Sequence, residues 1–180
     1  PESLLKAWRP FQREGITFGI KREGRCLIGD EMGLGKTIQA MSIAYYFKEN
    51  WPLLIICPAT LRYNWSNELE RWLGIYPEQI NVVTSSHIKP DNLINIISYE
   101  LATKNTEDLL KRNFKCTIVD ESHNLKNQRT ERVRNIRPLL KNAERVILIT
   151  GTPALSRPVE LYPQIDLVMQ GKWWLSYDDF

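Results

Sequence analysis

Residues 25–37 run Arg25-Cys26-Leu27-Ile28-Gly29-Asp30-Glu31-Met32-Gly33-Leu34-Gly35-Lys36-Thr37. A short apolar run gives way to a glycine-rich turn, after which Ile38, Met41, Ala44 and Tyr45 recur at helical spacing. In such a strand–turn–helix, glycines let backbone N–H groups turn inward around phosphates at the helix N-terminus. Lys36 can then reach the terminal phosphates, and Thr37 can place its hydroxyl on Mg²⁺. The strict G-x-x-x-x-G-K-[ST] spacing is missed by one residue: Gly29 precedes Gly35 by six positions, and Asp30 stands where the glycine would fall.

Outward from this turn, short apolar runs alternate with amphipathic stretches. Residues 25–28, 53–57, 80–83, 93–98, 116–119 and 146–149 read as buried strands. Residues 37–49, 61–73, 100–112 and 129–136 have helical spacing, and Pro10, followed by Phe11, Ile16 and Ile20, opens a further helix before the first strand. This alternation predicts an α/β fold, a parallel sheet covered by helices on both faces. Pro138 is expected to break the basic segment in two. No repeat or low-complexity linker interrupts the chain.

The 180 residues suit one packed domain, with 43% hydrophobic and 25% charged residues. No apolar run approaches the roughly 18 residues of a membrane span, and no basic-then-apolar leader opens the chain. With Pro1 in place of a start methionine, the expectation is a soluble fragment of a longer protein. Cys26, Cys57 and Cys116 are few, far apart and in apolar surroundings, which points to reduced core thiols in a reducing compartment. Net charge is only +3, yet Lys126, Arg129, Arg132, Arg134, Arg137, Lys141 and Arg145 face just Glu131 and Glu144 in one stretch. A solvated surface is the expected role of that stretch, ahead of a nucleic-acid track.

A second element supports the first. The apolar run from Cys116 to Val119 ends in Asp120-Glu121, and an acid at the C-terminal tip of a buried parallel strand faces the crevice where such sheets bind ligands. Asp120 can hold the Mg²⁺ shell, and Glu121 can orient and polarise an attacking water. Trp65 and Trp72, seven apart on one helical face, read as core or rim packing rather than base-stacking platforms.

In combination, Asp30-Glu31-Met32-Gly33-Leu34-Gly35-Lys36-Thr37, Asp120-Glu121-Ser122-His123 and Thr150-Gly151-Thr152-Pro153 resemble motifs I, II and III of the Swi/Snf-like ATPases of helicase superfamily two. Pro10-Phe11-Gln12 with Gly15 resembles the adenine-recognising Q motif. Cys57-Pro58-Ala59-Thr60-Leu61 with Asn64-Trp65 resembles motif Ia, and Ile97-Ser98-Tyr99 sits where motif Ib belongs. Ala154-Leu155-Ser156-Arg157-Pro158, followed by Glu160-Leu161-Tyr162, resembles the annealing-helicase and fork-remodelling branch.

The resemblance implies a RecA-like three-layer lobe over residues 1–168, with 169–180 beginning the connection to a second RecA-like lobe. It implies ATP and Mg²⁺ as ligands, with Gln12 on adenine, Gly33 to Thr37 on phosphates and Asp30, Glu31 and Met32 completing the nucleotide-binding segment, Thr37 and Asp120 on the metal, and Lys36, Asp120 and Glu121 in hydrolysis. His123, Thr150, Gly151 and Thr152 would couple nucleotide state to DNA, and Thr60, Arg62 and Tyr99 would touch DNA phosphates. Such contacts carry no sequence code. The implied whole is a monomeric, nuclear DNA-dependent ATPase, a translocase on double-stranded or branched DNA. Because the second lobe would supply arginine fingers, the fragment alone is expected to be nearly inactive. Two alternatives stay open: a nucleotide-gated DNA- or protein-binding module without useful hydrolysis, and an RNA helicase lobe of the same superfamily.

Overall fold

The computed structural model describes residues 2–85, 92–153 and 158–170. The subgroup-bearing segment 154–157, the aromatic stretch 171–177 and most of the expected connection lie outside the described residues.

Two helices, α1 (Glu2–Ala7) and α2 (Pro10–Lys21), precede strand β1 (Arg25–Ile28) and helix α3 (Lys36–Tyr46). Then follow β2 (Leu53–Cys57), α4 (Arg62–Leu73), β3 (Ile80–Val82), β4 (Ile94–Ser98), α5 (Tyr99–Lys104), α6 (Thr106–Arg112), β5 (Cys116–Asp120), α7 (Glu131–Asn142), β6 (Arg145–Ile149) and α8 (Tyr162–Met169). The six strands form one sheet in the order β1-β6-β5-β2-β4-β3, every neighbouring pair parallel. All six expected strands are present, each within a residue of its anticipated ends.

Side chains alternate across a strand, so each strand feeds two cores. Leu53, Ile55, Ile94, Ile96, Ile118 and Ile147 turn to one face, where Ile16 of α2, Met41 of α3 and Trp65 and Leu69 of α4 cover them. Leu54, Ile56, Ile97, Val119 and Leu148 turn to the other, beneath Leu109 of α6, Ile136 and Leu140 of α7 and Leu167 of α8. A sheet buried on both faces explains why its strands are continuous apolar runs.

Two expectations are corrected. The helix anticipated over 100–112 divides at Asn105, whose backbone leaves the helical region and whose side-chain amide donates to the Leu101 carbonyl at 2.7 Å. Pro138 does not break the basic segment; it lies inside α7. A proline there costs about 3 kcal/mol. Its ring faces solvent, as does Arg134, whose carbonyl loses the N–H partner, while Leu139 and Leu140 beyond it are buried and hold the last turn to the sheet.

Register decides where the motifs meet. Strand β6 lies between β1 and β5, and Ile149 pairs with both Ile28 and Asp120. The glycine-rich turn, the acidic pair and the Thr150 turn therefore leave the sheet at one level, within about 10 Å for two interstrand spacings.

Candidate functional site: a phosphate-loop cavity at the strand tips

Gly33 and Gly35 both take left-handed backbone, with φ of 82° and 76°. Gly35 has a second constraint, since a Cβ there would lie 2.5 Å from Gln12 Nε2. Gly35 also caps α3 without a side-chain bond, leaving the first N–H groups of that helix for an anion. Lys36 Nζ donates to the carbonyls of Asp30 (2.7 Å) and Glu31 (2.9 Å), curling the loop around the ammonium. Asp30 turns its carboxylate inward to accept from Gln39 Nε2 at 2.7 Å, so this residue braces the loop from behind. Glu31 and Met32 are exposed, Met32 by 78%, and Thr37 is half-buried at the cavity wall.

Gln12 is buried and bonded twice: its Oε1 accepts from Arg9 N–H, and its Nε2 donates to the Leu34 carbonyl at 2.9 Å. The start of α2 is thereby tied to the loop. Together with Lys36, Thr37, Asp120 and Glu121, Gln12 lines a cavity of about 530 Å³. Asn64, Glu68 and Trp72 of α4 line it as well.

Asp120 is buried beneath this cavity. Its Oδ2 accepts from Trp65 Nε1 and its Oδ1 from the Glu121 N–H, each at 2.9 Å. Burial raises its pKa above the ordinary value, and neighbouring Glu121 adds to that; the Trp65 and backbone hydrogen bonds and Lys36 oppose it. Glu121 has left-handed backbone, φ 52°, which is uncommon for a residue with a side chain. Tyr99 Oη donates to the Asp120 carbonyl (2.6 Å) and lies 3.1 Å from that of Glu121, and Asn124 Nδ2 donates to the Glu121 carbonyl (2.9 Å), holding that turn.

The third turn closes on the second. His123 Nδ1 lies 3.0 Å from Thr150 Oγ1, 3.2 Å from Glu121 Oε2 and 3.4 Å from Thr152 Oγ1. Gly151 approaches the phosphate loop so closely that a Cβ would meet Met32 Cγ at 2.8 Å and Lys36 Nζ at 3.5 Å.

The motif Ia and Ib residues fare unevenly. Thr60 is exposed. Tyr99 is only 2% exposed and buttresses the acidic turn, so it is not placed to touch DNA. Arg62 is half-buried, its guanidinium donating to the carbonyls of Ala59 (3.0 Å) and Val83, which ties the start of α4 to the end of β3. The basic stretch is divided: Lys126 pairs with Glu160, Arg137 with Asp166, and Arg132 bonds Asn124 while lying over the Tyr99 ring, whereas Arg129, Arg134 and Lys141 are exposed.

Three contributors escaped the sequence reading. Trp65, quoted with motif Ia, was expected to pack in the core or at its rim, yet its N–H holds Asp120. Gln39 and Gln164 carry no motif, although an amide on an otherwise apolar helix face was a signal. The three cysteines are free and buried, and burial pushes their thiols up to about 12, which makes them inert at neutral pH.

A parallel sheet with a phosphate loop, an acidic pair and a polar third turn at adjacent strand tips defines a RecA-like nucleotide-binding lobe. The chain belongs to the SNF2-related domain family, whose sequence pattern matches residues 11–180. It is 46% identical over 187 residues to "DNA annealing helicase and endonuclease ZRANB3" of Mus musculus, covering 98% of this chain and 18% of that protein. It is 52% identical over 167 residues to the "SWI/SNF-related matrix-associated actin-dependent regulator of chromatin subfamily A-like protein 1" of Xenopus laevis, covering 92% and 17%. The solved "Sulfolobus solfataricus SWI2/SNF2 ATPase core in complex with dsDNA" superposes with a TM-score of 0.75 at 29% identity, over 96% of this chain and 37% of that one. The chain thus spans less than a fifth of the length of these two relatives. No helix among the described residues is long and apolar enough to cross a membrane.

Proposed function

We propose that this chain is the ATP-binding first lobe of a DNA-dependent ATPase that translocates on double-stranded or branched DNA, in the manner of an annealing helicase or fork remodeller. The observation that carries the reading is the shared level of the β1, β6 and β5 tips, which gathers Lys36, Thr37, Asp120, Glu121 and Thr150 at one rim of the sheet. The names of the two relatives and of the DNA-bound solved core support the DNA part of it.

In this reading the N–H groups at the start of α3 and the Lys36 ammonium take the phosphates, releasing Lys36 from the Asp30 and Glu31 carbonyls. Gln12 meets the base from the α2 side. A hard cation suits the donors present, since Mg²⁺ is held by one or two protein oxygens plus substrate phosphates, and Thr37 and Asp120 supply those oxygens. Bound there, it would neutralise charge on the transferred phosphoryl. Glu121 orients the attacking water and accepts its proton, while His123 and Thr150 hold the Glu121 carboxylate. Residues 1–168 form the lobe and 169–180 begin the connection to a second one. That lobe supplies the arginine that completes the site, so the isolated 180 residues bind nucleotide weakly and turn over almost none. The whole acts as a nuclear monomer.

The test is ATP hydrolysis by the complete protein with duplex DNA, forked DNA and RNA. Stimulation greatest with forked or duplex DNA is expected. Greater stimulation by RNA, or robust turnover by the 180 residues alone, would overturn the reading.

A further inference from the structure

Gln164 lies on α8, outside the cavity and outside every motif, yet it is fully buried and its two short side-chain hydrogen bonds reach two other loops. Its Oε1 accepts from Ser122 Oγ at 2.7 Å. Its Nε2 donates to the Pro153 carbonyl at 2.7 Å and lies 3.4 Å from the Glu160 carbonyl. Ser122, itself fully buried, directly follows Glu121; Pro153 directly follows Thr152. One side chain therefore spans the second and third turns, which His123 and Thr150 also join directly.

The helix that carries Gln164 is anchored. Arg25 donates from Nε to the Val168 carbonyl and from Nη2 to the Leu167 carbonyl, each at 2.7 Å, fixing the end of α8 to the start of β1. Arg137 of α7 pairs with Asp166, and Lys126 pairs with Glu160 just before the helix. An amide on a fixed helix has little freedom to follow one turn without pulling the other. Buried polar groups bonded in this way are costly to leave unpaired, so the two turns shift together or not at all.

We propose that Gln164 is a positioning residue that locks the Thr150–Pro153 turn to the acidic turn, so that a change at the nucleotide is transmitted to the third turn through Ser122, Gln164 and Pro153. This rests on the nucleotide-site reading above and adds a residue to it. Gln164 touches no nucleotide; it acts through Ser122 and Pro153.

The experiment is hydrogen–deuterium exchange on the complete protein with and without ADP and Mg²⁺, for wild type, Gln164→Met, Ser122→Ala and the double variant. Wild type should change its protection in the phosphate loop, in residues 122–126 and in residues 150–153. In Gln164→Met the phosphate-loop response should persist while the response at 150–153 shrinks at least about twofold, the smallest coupling change such packed networks carry. Ser122→Ala, the milder change, should do the same, and the double variant should add nothing, because all three break one connection. An undiminished 150–153 response in Gln164→Met, additive losses, or an equal loss at the phosphate loop would overturn the proposal; the last would mean that Gln164 merely supports the fold. Wild type with no response at the phosphate loop would remove the nucleotide reading and this proposal with it. A nucleotide response without DNA stimulation of ATP hydrolysis would remove only the translocase reading, and the exchange pattern would still decide the role of Gln164.

Discussion

The Trp65 indole donates to Asp120 Oδ2 across 2.9 Å, with the indole only 1% exposed, so the helix that follows residues 58–61 is bonded directly to the first acid of the pair. Phenylalanine at 65 would keep most of the apolar ring and remove the donor. We expect Trp65→Phe to lower unfolding free energy by about 1–3 kcal/mol, the cost of leaving a buried acceptor without its partner. On the proposed reading, in which Asp120 holds the metal, ADP affinity should fall more with Mg²⁺ than in EDTA. Urea unfolding and ADP titration in both buffers check this; equal losses in the two would separate Trp65 from the metal.

Asp120 also sets a pH dependence. Burial raises its folded-state pKa above the ordinary 3.8. A raised value means that the folded state holds the proton more tightly, so the contribution of Asp120 to stability is fully present below 3.8 and lost as pH rises through the folded value. In EDTA, the stability of wild type relative to Asp120→Asn should therefore improve as pH is lowered from neutrality towards that range. Urea midpoints across the series measure the difference, and a difference that moves the other way would refute the assignment.

Lys36 spends its ammonium on the carbonyls of Asp30 and Glu31, in a loop that water reaches. Lys36→Ala should cost the fold less than about 1 kcal/mol, since solvent replaces the lost donor. It should weaken ADP binding by at least about tenfold, or 1.4 kcal/mol. Fluorescent ADP titrated against both proteins reads the second number, and equal affinities would place Lys36 away from the phosphates.

Glu121→Gln keeps the size of the side chain and removes its basicity. In the complete protein, ATP should still bind, while hydrolysis falls about 10²- to 10⁴-fold, the usual share of a general base. A variant that loses turnover but keeps its DNA-dependent function would favour a passive, nucleotide-gated module over a motor.

Gly15 faces α3, and a Cβ there would fall 2.1 Å from Gln39 Oε1. Alanine would gain about 1 kcal/mol of helix propensity, against about 1–3 kcal/mol for overpacking a filled site. Gln39 is fully buried and held by Asp30, so it has no open space to enter, and the packing cost wins. Gly15→Ala should be less stable than wild type and bind ADP more weakly, through displacement of the Gln39–Asp30 brace. Thermal unfolding showing a more stable variant would reverse this account.

Much of the fold was legible because the buried strands are uninterrupted apolar runs: Leu53-Leu54-Ile55-Ile56-Cys57 admits little else once a helix follows it. Interruptions were harder to read. Asn105 divides a helix because its amide finds the Leu101 carbonyl, and Pro138 fails to divide one because Leu139 and Leu140 are held to the sheet; burial overrode local propensity at the second site. Tyr99 and Arg62 looked like surface contacts in the sequence. They are spent on backbone carbonyls of the acidic turn, of Ala59 and of Val83, partners that lie far away in the chain or carry no chemical label of their own.

By itself the sequence determined the chemistry: glycines able to turn around an anion, a lysine and threonine behind them, and two acids at the end of an apolar run. The tertiary structure alone decided that these meet, because β6, the last strand among the described residues, inserts between β1 and β5 and pairs Ile149 with both Ile28 and Asp120. It alone decided which neutral residues hold them, since the reach of Trp65 to Asp120 and of Gln164 to Ser122 and Pro153 depends on distances across the fold that no local pattern encodes. Spacing in a chain fixes what a turn can bind; only packing brings two distant turns within a hydrogen bond of each other.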